Sequence, residues 1–349
     1  MMRVCAITSG ARVPAARFRI RQHIAPLAAA GIDVVEHVPA IAQAMPMPGR
    51  LGQLRRRYLG PVTAGWLLGH AAIRVPAIAA SWRADAVWLE RVLAPGFDWL
   101  MRGLKTPIVL DVDDAVWLEG LAGRATPRRA RAATAVIAGN QYLADWFRDY
   151  CDRVHVIPTA VDCARIRPAP IVDRTGFVIG WTGTSGNFPY LAAIEPALEA
   201  VLRDVPGASL LVVADRPPAL PRLAGRHVRF VPWSPASEVE VLAVMDVGLM
   251  PLADDAWTRG KCSFKMLQYM AAGVPSVVSP VGMNREVLAL GESGVGAAGV
   301  DEWVDALRAL AADPERRTRL GATGRAVALA HFDVPVVSRR IAAVFESLR

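Results

Sequence analysis

The stretch Phe177-Val178-Ile179-Gly180-Trp181-Thr182-Gly183-Thr184-Ser185-Gly186-Asn187 reads as a short apolar strand running into a glycine-rich loop, with a helix expected to begin near Pro189. Glycines let a backbone turn tightly and approach a ligand closely, and a helix N-terminus offers N–H groups and positive partial charge to a phosphate. The loop reads equally as an ordinary strand-to-helix turn. It lacks the Gly-Lys-Ser/Thr ending of a Walker A loop and the spaced glycine triplet of a dinucleotide fold. The first expected strand, 3–8, runs into Ser9-Gly10-Ala11-Arg12 and lacks that triplet too, which argues against a nicotinamide dehydrogenase.

Outward from this stretch in both directions, short runs rich in Val and Ile alternate with longer Ala/Leu/Arg segments of helical period. That is the pattern of βαβ units and parallel sheets, so the fold class is α/β. Strands are expected at 3–8, 33–38, 86–90, 108–111, 135–138 and 154–157, then at 177–181, 209–214, 228–231, 246–250 and 276–279. Helices are expected over 18–30, 95–104, 140–150, 190–203, 264–272 and 334–348. Between Ile157 and Phe177 the period disappears into a connection holding Pro158, Pro168 and Pro170, which marks an interdomain linker. The expected organisation is an N-terminal Rossmann-like domain over 1–165, a second over 166–330, and a closing helical segment over 331–349. Two doubly wound domains in tandem would set the carboxyl ends of their sheets on either side of a central cleft, a donor on one wall and an acceptor on the other.

Composition narrows the class further. The chain has 349 residues, a net charge of +8, 53% hydrophobic and 21% charged residues, which excludes disorder, collagen and a coiled coil. Cys5, Cys151, Cys163 and Cys262 are scattered, with no Cys-x-x-Cys pair, as for thiols kept reduced in a cytoplasm. The apolar start is too short for a secretory signal, and no uncharged stretch reaches the length of a membrane span. The positive charge is spread along the chain, without a helix-turn-helix, zinc finger or aromatic RNA platform, so nucleic acid is not an expected partner. Only three of the 40 basic residues are lysines, Lys105, Lys261 and Lys265, and two of these stand within five residues of each other. In an Arg-rich chain such a pair of compact ammonium groups points to a function before it points to a solvated face.

The second informative segment runs from Asp246 through Pro251 and a polar loop into Gly260-Lys261-Cys262-Ser263-Phe264-Lys265-Met266-Leu267-Gln268-Tyr269-Met270-Ala271-Ala272-Gly273-Val274-Pro275. Lys265 and Gln268 are three apart and share a helix face. Arg259, Lys261 and Lys265 are expected to converge at the N-terminal end of that helix, an anion site built from side chains and dipole together.

With this segment, the chain resembles the family-4 glycosyltransferases, retaining enzymes of GT-B fold. The resemblance runs nearly end to end: Ala16-Arg17-Phe18-Arg19, Asp111-Val112-Asp113-Asp114-Ala115-Val116-Trp117, Ala135 to Leu143, Val156 to Asp162, and above all Gly260 to Gly282. It implies a nucleoside-diphosphate sugar held as substrate by the C-terminal domain, a glycan or lipid-linked acceptor held by the N-terminal domain, no cofactor and no essential metal, and a final helix that crosses back. By position, it implies that Gly183 and Thr184 give backbone contacts to the donor diphosphate and that Arg259, Lys261 and Lys265 neutralise the departing nucleoside diphosphate. Trp233, within Phe230-Val231-Pro232-Trp233-Ser234, matches the base-clamping stretch, and Gln268 stands where relatives place a ribose-binding glutamate. Most relatives have two glutamates eight residues apart at this helix; here those positions are Gly260 and Gln268. Many also carry an Arg and a Lys after the glycine loop, where this chain has Thr184-Ser185-Gly186-Asn187.

In the first domain, Asp113 stands about where many relatives have a His that touches the donor sugar, so it reads either as a hydrogen-bonding site residue or as a loop-ordering carboxylate. The Asp111-Val112-Asp113-Asp114 run mimics the Asp-x-Asp metal motif of the other large glycosyltransferase fold, but that motif belongs to a different architecture, and no metal site is expected. Glu90 and Arg91 either line the acceptor site or form a structural ion pair. Arg17 is the favoured acceptor contact among Arg17, Arg19 and Arg21. The basic run Arg55-Arg56-Arg57, followed by an apolar stretch with Trp66, Leu67 and Leu68, reads either as an attachment to the anionic inner face of a membrane or as a buried helix. The expected activity is sugar transfer from a nucleoside diphosphate to an acceptor hydroxyl; the alternative is a non-catalytic protein of the same fold that binds nucleotide or glycan.

Overall fold

The computed structural model describes residues 1–42, 56–94, 96–169, 176–235 and 237–349, without the side chains of 56–62, 121 and 122. They divide into two compact units. The first comprises Met1–Ala160, Gly260–Cys262 and Val334–Arg349, and the second Val161–Arg259 and Ser263–Asp333.

The first unit is built on six parallel strands, β1 (Met2–Ile7), β2 (Ile32–His37), β3 (Ala86–Glu90), β4 (Ile108–Val112), β5 (Ala135–Ala138) and β6 (Val154–Val156), in the order β2-β1-β3-β4-β5-β6. Alternate side chains of a strand leave opposite faces of the sheet. Val4, Ala6, Trp88, Val109 and Ile137 accordingly enter one core and Cys5, Ile7, Val87, Leu89 and Val136 the other, which is why these strands read as unbroken apolar runs. The helix Val334–Glu346 completes the first of these cores with Val337, Ile341, Val344 and Phe345, the last packed edge-on to Trp88 at 5.4 Å.

The second unit has its own six parallel strands, β7 (Phe177–Thr182), β8 (Ala208–Ala214), β9 (Val228–Pro232), β10 (Val247–Met250), β11 (Ser276–Val278) and β12 (Gly294–Gly296), in the order β12-β11-β10-β7-β8-β9. The strand β12 has no counterpart in the sequence reading. Its three residues, Gly294-Val295-Gly296, carry almost no apolar signal, and a Cβ on Gly294 would lie 2.4 Å from the Ser276 carbonyl oxygen. In open α/β sheets ligands bind beyond the carboxyl ends of the strands, where the strand order reverses. That reversal falls between β1 and β3 in the first unit and between β7 and β10 in the second.

Proline redraws two of the expected helices. In place of one helix over 18–30, the chain makes a π turn at Ala16–Ile20, a 3-10 turn at Arg21–His23 and an α-helix at Ile24–Ala29, so Pro26 lies in a first turn, where its missing N–H costs nothing. The expected 190–203 helix is likewise two, Phe188–Ala193 and Glu195–Asp204, with Pro189 and Pro196 each at the start. In the 95–104 stretch the helical part is a 3-10 segment, Asp98–Gly103. Residues Pro95, Pro170 and Arg55 lie outside the described residues, as do the side chains of Arg56 and Arg57, so the basic run before Tyr58 has no structural description. Past it, Leu68 is exposed, Trp66 half-buried and His70 buried. No helix among the described residues is long and apolar enough to cross a membrane.

A buried histidine gives the first unit a pH dependence. His23 is 1% exposed, its Nδ1 lies 2.7 Å from Ser338 Oγ, and burial, reinforced by the Arg19 charge, pushes its pKa down to about 3. The unfolded chain, with an ordinary histidine, takes up a proton near pH 6.5, whereas the folded chain resists until about 3. The unfolded state therefore binds more protons across that window, and stability should fall as pH drops through it. Thermal melts from neutral pH downward are expected to show this loss, with a shallower slope for His23→Gln.

Candidate active site

At the β7/β10 reversal, the second unit holds Gly183, Thr184, Trp181, Lys265 and Tyr269 together. The helix Phe264–Ala271 is tied to both strands by Tyr269, whose hydroxyl accepts from Thr182 N and donates to Leu249 O, each at 3.2 Å. Burial pushes this phenol up to about 12, so it stays neutral. Its ring fills the space above Gly248, where a Cβ would come within 2.4 Å of it. One helical turn before Tyr269, Lys265 crosses Gly183: a Cβ there would sit 2.7 Å from Lys265 Cε, and the Lys265 ammonium lies 5.7 Å from the centre of the Trp181 ring. The same Cβ would lie 2.8 Å from Trp181 Cη2 and 2.9 Å from its Cζ2, and the indole can give way less readily than the lysine tip.

The N-terminus of this helix is unusual in its cap. Ser263 adopts a left-handed conformation, φ 51°, and makes no side-chain cap; its hydroxyl donates instead to Asn284 Oδ1 at 2.7 Å. A non-glycine residue held in that region is strained, and such strain clusters at binding sites. The helix start therefore keeps its positive end without a protein oxygen from the capping position, beside the lysine that crosses the glycine loop. The rim of the loop is fixed from the other side by Asp215, which follows β8 and accepts from Ser185 N at 2.6 Å and from Ser185 Oγ at 2.7 Å; the bonds from Ser185 hold this carboxyl below its usual range. Thr184 Oγ1 accepts from Asn187 Nδ2 at 3.0 Å.

The three cations expected to converge each have partners of their own. Lys265 meets Gly183 as described. Arg259 Nε donates to Asp254 Oδ1 at 2.7 Å on the preceding loop. Lys261 belongs to the first unit, where its ammonium is 3.9 Å from Asp114 and its carbonyl accepts from Asn140 Nδ2 at 3.1 Å. Trp233, just past β9, is 45% exposed, and its backbone N–H donates to Ala214 O at 2.8 Å. Gln268 is buried, and its Nε2 donates to Glu238 Oε1 at 3.3 Å. Glu238 is a polar neighbour that sequence spacing alone does not single out.

In the first unit, Glu90 and Arg91 do not form the ion pair that was one of their two readings. Glu90 is 1% exposed and accepts from Ser9 N at 2.8 Å and Ser9 Oγ at 2.7 Å, across the β1/β3 reversal. Burial raises its pKa. Arg91 has φ 56°, and its side chain donates to Asp113 at 2.7 Å and to Asp114 at 2.5 Å. Asp113 and Asp114 are thereby held by one guanidinium, and among the described residues no group of three or more His, Cys, Asp or Glu is arranged to hold a metal ion. Of the three early arginines, Arg19 is buried on Asp111, Arg21 is paired with Glu36, and Arg17 is half-buried with its guanidinium 4.6 Å from the centre of the Phe18 ring.

The segment Gly260–Cys262 gives a steric reason for the glycine at 260. A Cβ at Gly260 would lie 2.8 Å from Ala115 Cβ and 2.9 Å from Ala115 N, and Cys262 Sγ contacts the Asp113 carbonyl at 3.1 Å over Gly139, where no Cβ fits. A glutamate at 260 has no room. Gly260→Glu is therefore expected to destabilise the protein by about 1 kcal/mol or more, the cost of overpacking. Gly260→Ala should share most of that loss in a thermal melt.

Residues 177–313 match the family model described as Glycosyl transferases group 1. Among solved structures, sucrose-phosphate synthase from Thermosynechococcus elongatus is 16% identical, with a TM-score of 0.70 over 100% of this chain and 99% of that one. HepE from Anabaena, in complex with UDP and glucose, is 15% identical with a TM-score of 0.71 over 100% of both chains. A glycosyltransferase from Rickettsia africae is 10% identical, with a TM-score of 0.69 over 99% of this chain and 98% of that one. No curated protein matches the sequence. At such identities the structural likeness establishes the fold, which is GT-B, and the sequence match adds a similarity of residues 177–313 to the glycosyl transferases group 1 model.

Proposed function

We propose that the chain is an enzyme that transfers a sugar from a nucleoside-diphosphate sugar to a hydroxyl of a glycan or lipid-linked acceptor, with no metal ion and with retention of anomeric configuration. The observation that carries the donor half is Lys265 lying across Gly183 at the β7/β10 reversal, beside the positive end of its own helix. A diphosphate seated there would accept from the loop backbone of Gly183 and Thr184 and face the Lys265 ammonium. As the bond between the sugar C1 and the phosphate oxygen breaks, negative charge grows on the departing diphosphate. A preorganised ammonium and helix end stabilise that charge more than the ground state, which is catalysis. The acceptor oxygen forms the new bond to C1, and its proton passes to the departing diphosphate oxygen, which has gained the electron pair of the broken bond.

Trp233 and Gln268 are assigned to the base and ribose, and Arg259 and Lys261 to a supporting electrostatic role. Asp113, oriented by Arg91, is assigned a hydrogen bond to the transferred sugar. Arg17 and the Glu90 region are assigned to the acceptor side of the first unit. The bound glucose and UDP of HepE are consistent with a hexose and a uridine donor, and support comes only by that likeness.

Incubation with UDP-, GDP- and ADP-linked hexoses and a panel of glycan and lipid-linked acceptors, reading release of nucleoside diphosphate with and without EDTA, tests this. One donor is expected to turn over with EDTA present and to stop in Lys265→Ala. Nucleotide binding without turnover of any donor would favour a non-catalytic binding protein instead, the reading to which the Gly260 and Gln268 departures lend weight.

A further inference from the structure

Arg165, Glu238 and Gln268 form a chain of polar contacts within the second unit. Arg165 Nη1 donates to Glu238 Oε2 at 2.7 Å and its Nη2 to Pro235 O at 2.5 Å, while Glu238 Oε1 accepts from Gln268 Nε2 at 3.3 Å. Glu238 and Gln268 are both buried. A carboxylate can only accept, so this contact decides which way the amide points: the nitrogen is committed to Glu238 and the carbonyl oxygen is the end left to accept from elsewhere. Gln268 lies three residues after Lys265, on the same helix face and about 4.5 Å further along the axis. That step is comparable to the one from a phosphate to the ribose it esterifies.

Resting on the nucleoside-diphosphate reading above, we propose that Glu238, itself held by Arg165, is a positioning residue that fixes the Gln268 carboxamide with its oxygen toward the donor, where a ribose hydroxyl donates to it. Glutamine then offers the acceptor that a carboxylate would offer, without setting two negative charges in contact near a diphosphate. A glutamate at 268 would face Glu238 at hydrogen-bond distance, and two carboxylates that close cannot both stay ionised. The pair is therefore complementary as Glu with Gln, in either order, and not as Glu with Glu.

The test is calorimetric affinity for UDP, GDP and ADP and for their 2′-deoxy counterparts, measured on the full chain as wild type, Gln268→Glu, Glu238→Gln and the double variant Glu238→Gln/Gln268→Glu. The wild type is expected to bind one ribonucleoside diphosphate at least tenfold more tightly than its deoxy form. Gln268→Glu should weaken that binding at least tenfold near neutral pH, with recovery as pH is lowered, and the double variant should return to within about threefold of wild type. Glu238→Gln alone, which frees the amide to turn, should shrink the preference for ribose while leaving affinity for the deoxy form unchanged, a ratio that a general loss of stability would not move. Wild-type affinity in Gln268→Glu, no rescue by the double variant, or an unaltered ribose preference in Glu238→Gln would each overturn the proposal while leaving the nucleotide reading intact. Absence of binding by wild type to all three ribonucleotides would remove that reading and this one with it.

Discussion

Lys265→Ala is expected to weaken binding of the cognate nucleoside diphosphate ten- to hundredfold, about 1.5–3 kcal/mol, the usual worth of a hydrogen bond to a charged group. The side chain is directed by two features that persist in the variant: the missing Cβ of Gly183, over which it passes, and the Trp181 ring beside its ammonium. Its removal leaves the Tyr269 tie between β7 and β10 in place, so the melting temperature should change little while affinity falls. Lys265→Arg should recover only part of the loss, because a planar guanidinium does not reproduce a compact ammonium on a path this narrow. Equal affinity in wild type and Lys265→Ala would show that the phosphate site is elsewhere.

Arg19→Ala is expected to lower stability by about 3–5 kcal/mol, the cost of stranding a buried charge. Arg19 Nε meets Asp111 Oδ1 at 2.7 Å, and its Nη1 donates to Ile157 O at 2.9 Å, so the guanidinium links the ends of β4 and β6. Trp88 Nε1 occupies the other Asp111 oxygen at 3.1 Å. Burial already raises the Asp111 pKa, with Arg19 as the chief opposing influence. Without Arg19 the carboxyl must be buried charged and unpaired or take up a proton. A second variant separates this from simple cavity formation: Arg19→Met with Asp111→Leu removes both charges and should regain most of the lost stability in a denaturant titration. If Arg19→Ala unfolds at the same denaturant concentration as wild type, the pair does not hold the sheet as described.

Parallel strands buried on both faces announce themselves as apolar runs, which is why β1, β3, β5, β7, β8 and β10 are legible from residue pattern alone. Helix continuity was not, because periodicity is blind to where proline sits; Pro26, Pro189 and Pro196 each lie in the first turn of a helix in place of interrupting one. The glycine loop and Lys265 were legible as separate phosphate-binding signals. Their contact was not, since it depends on the side chain of Lys265, 82 residues beyond Gly183 in the chain. Gly260 reads in sequence as a missing glutamate and in structure as a position without space for any side chain. Arg91 and Glu238 carry no motif. A strained φ and a shared hydrogen bond distinguish them, and neither is visible in spacing.

The most direct measurement is calorimetric titration of the wild-type chain with UDP, GDP and ADP in the presence of EDTA. Micromolar binding of one of them, about −8 kcal/mol, is the predicted result, and together with the Lys265→Ala loss it would place a metal-independent nucleotide site on the second unit. Failure of all three to bind would contradict the donor assignment at the β7/β10 reversal.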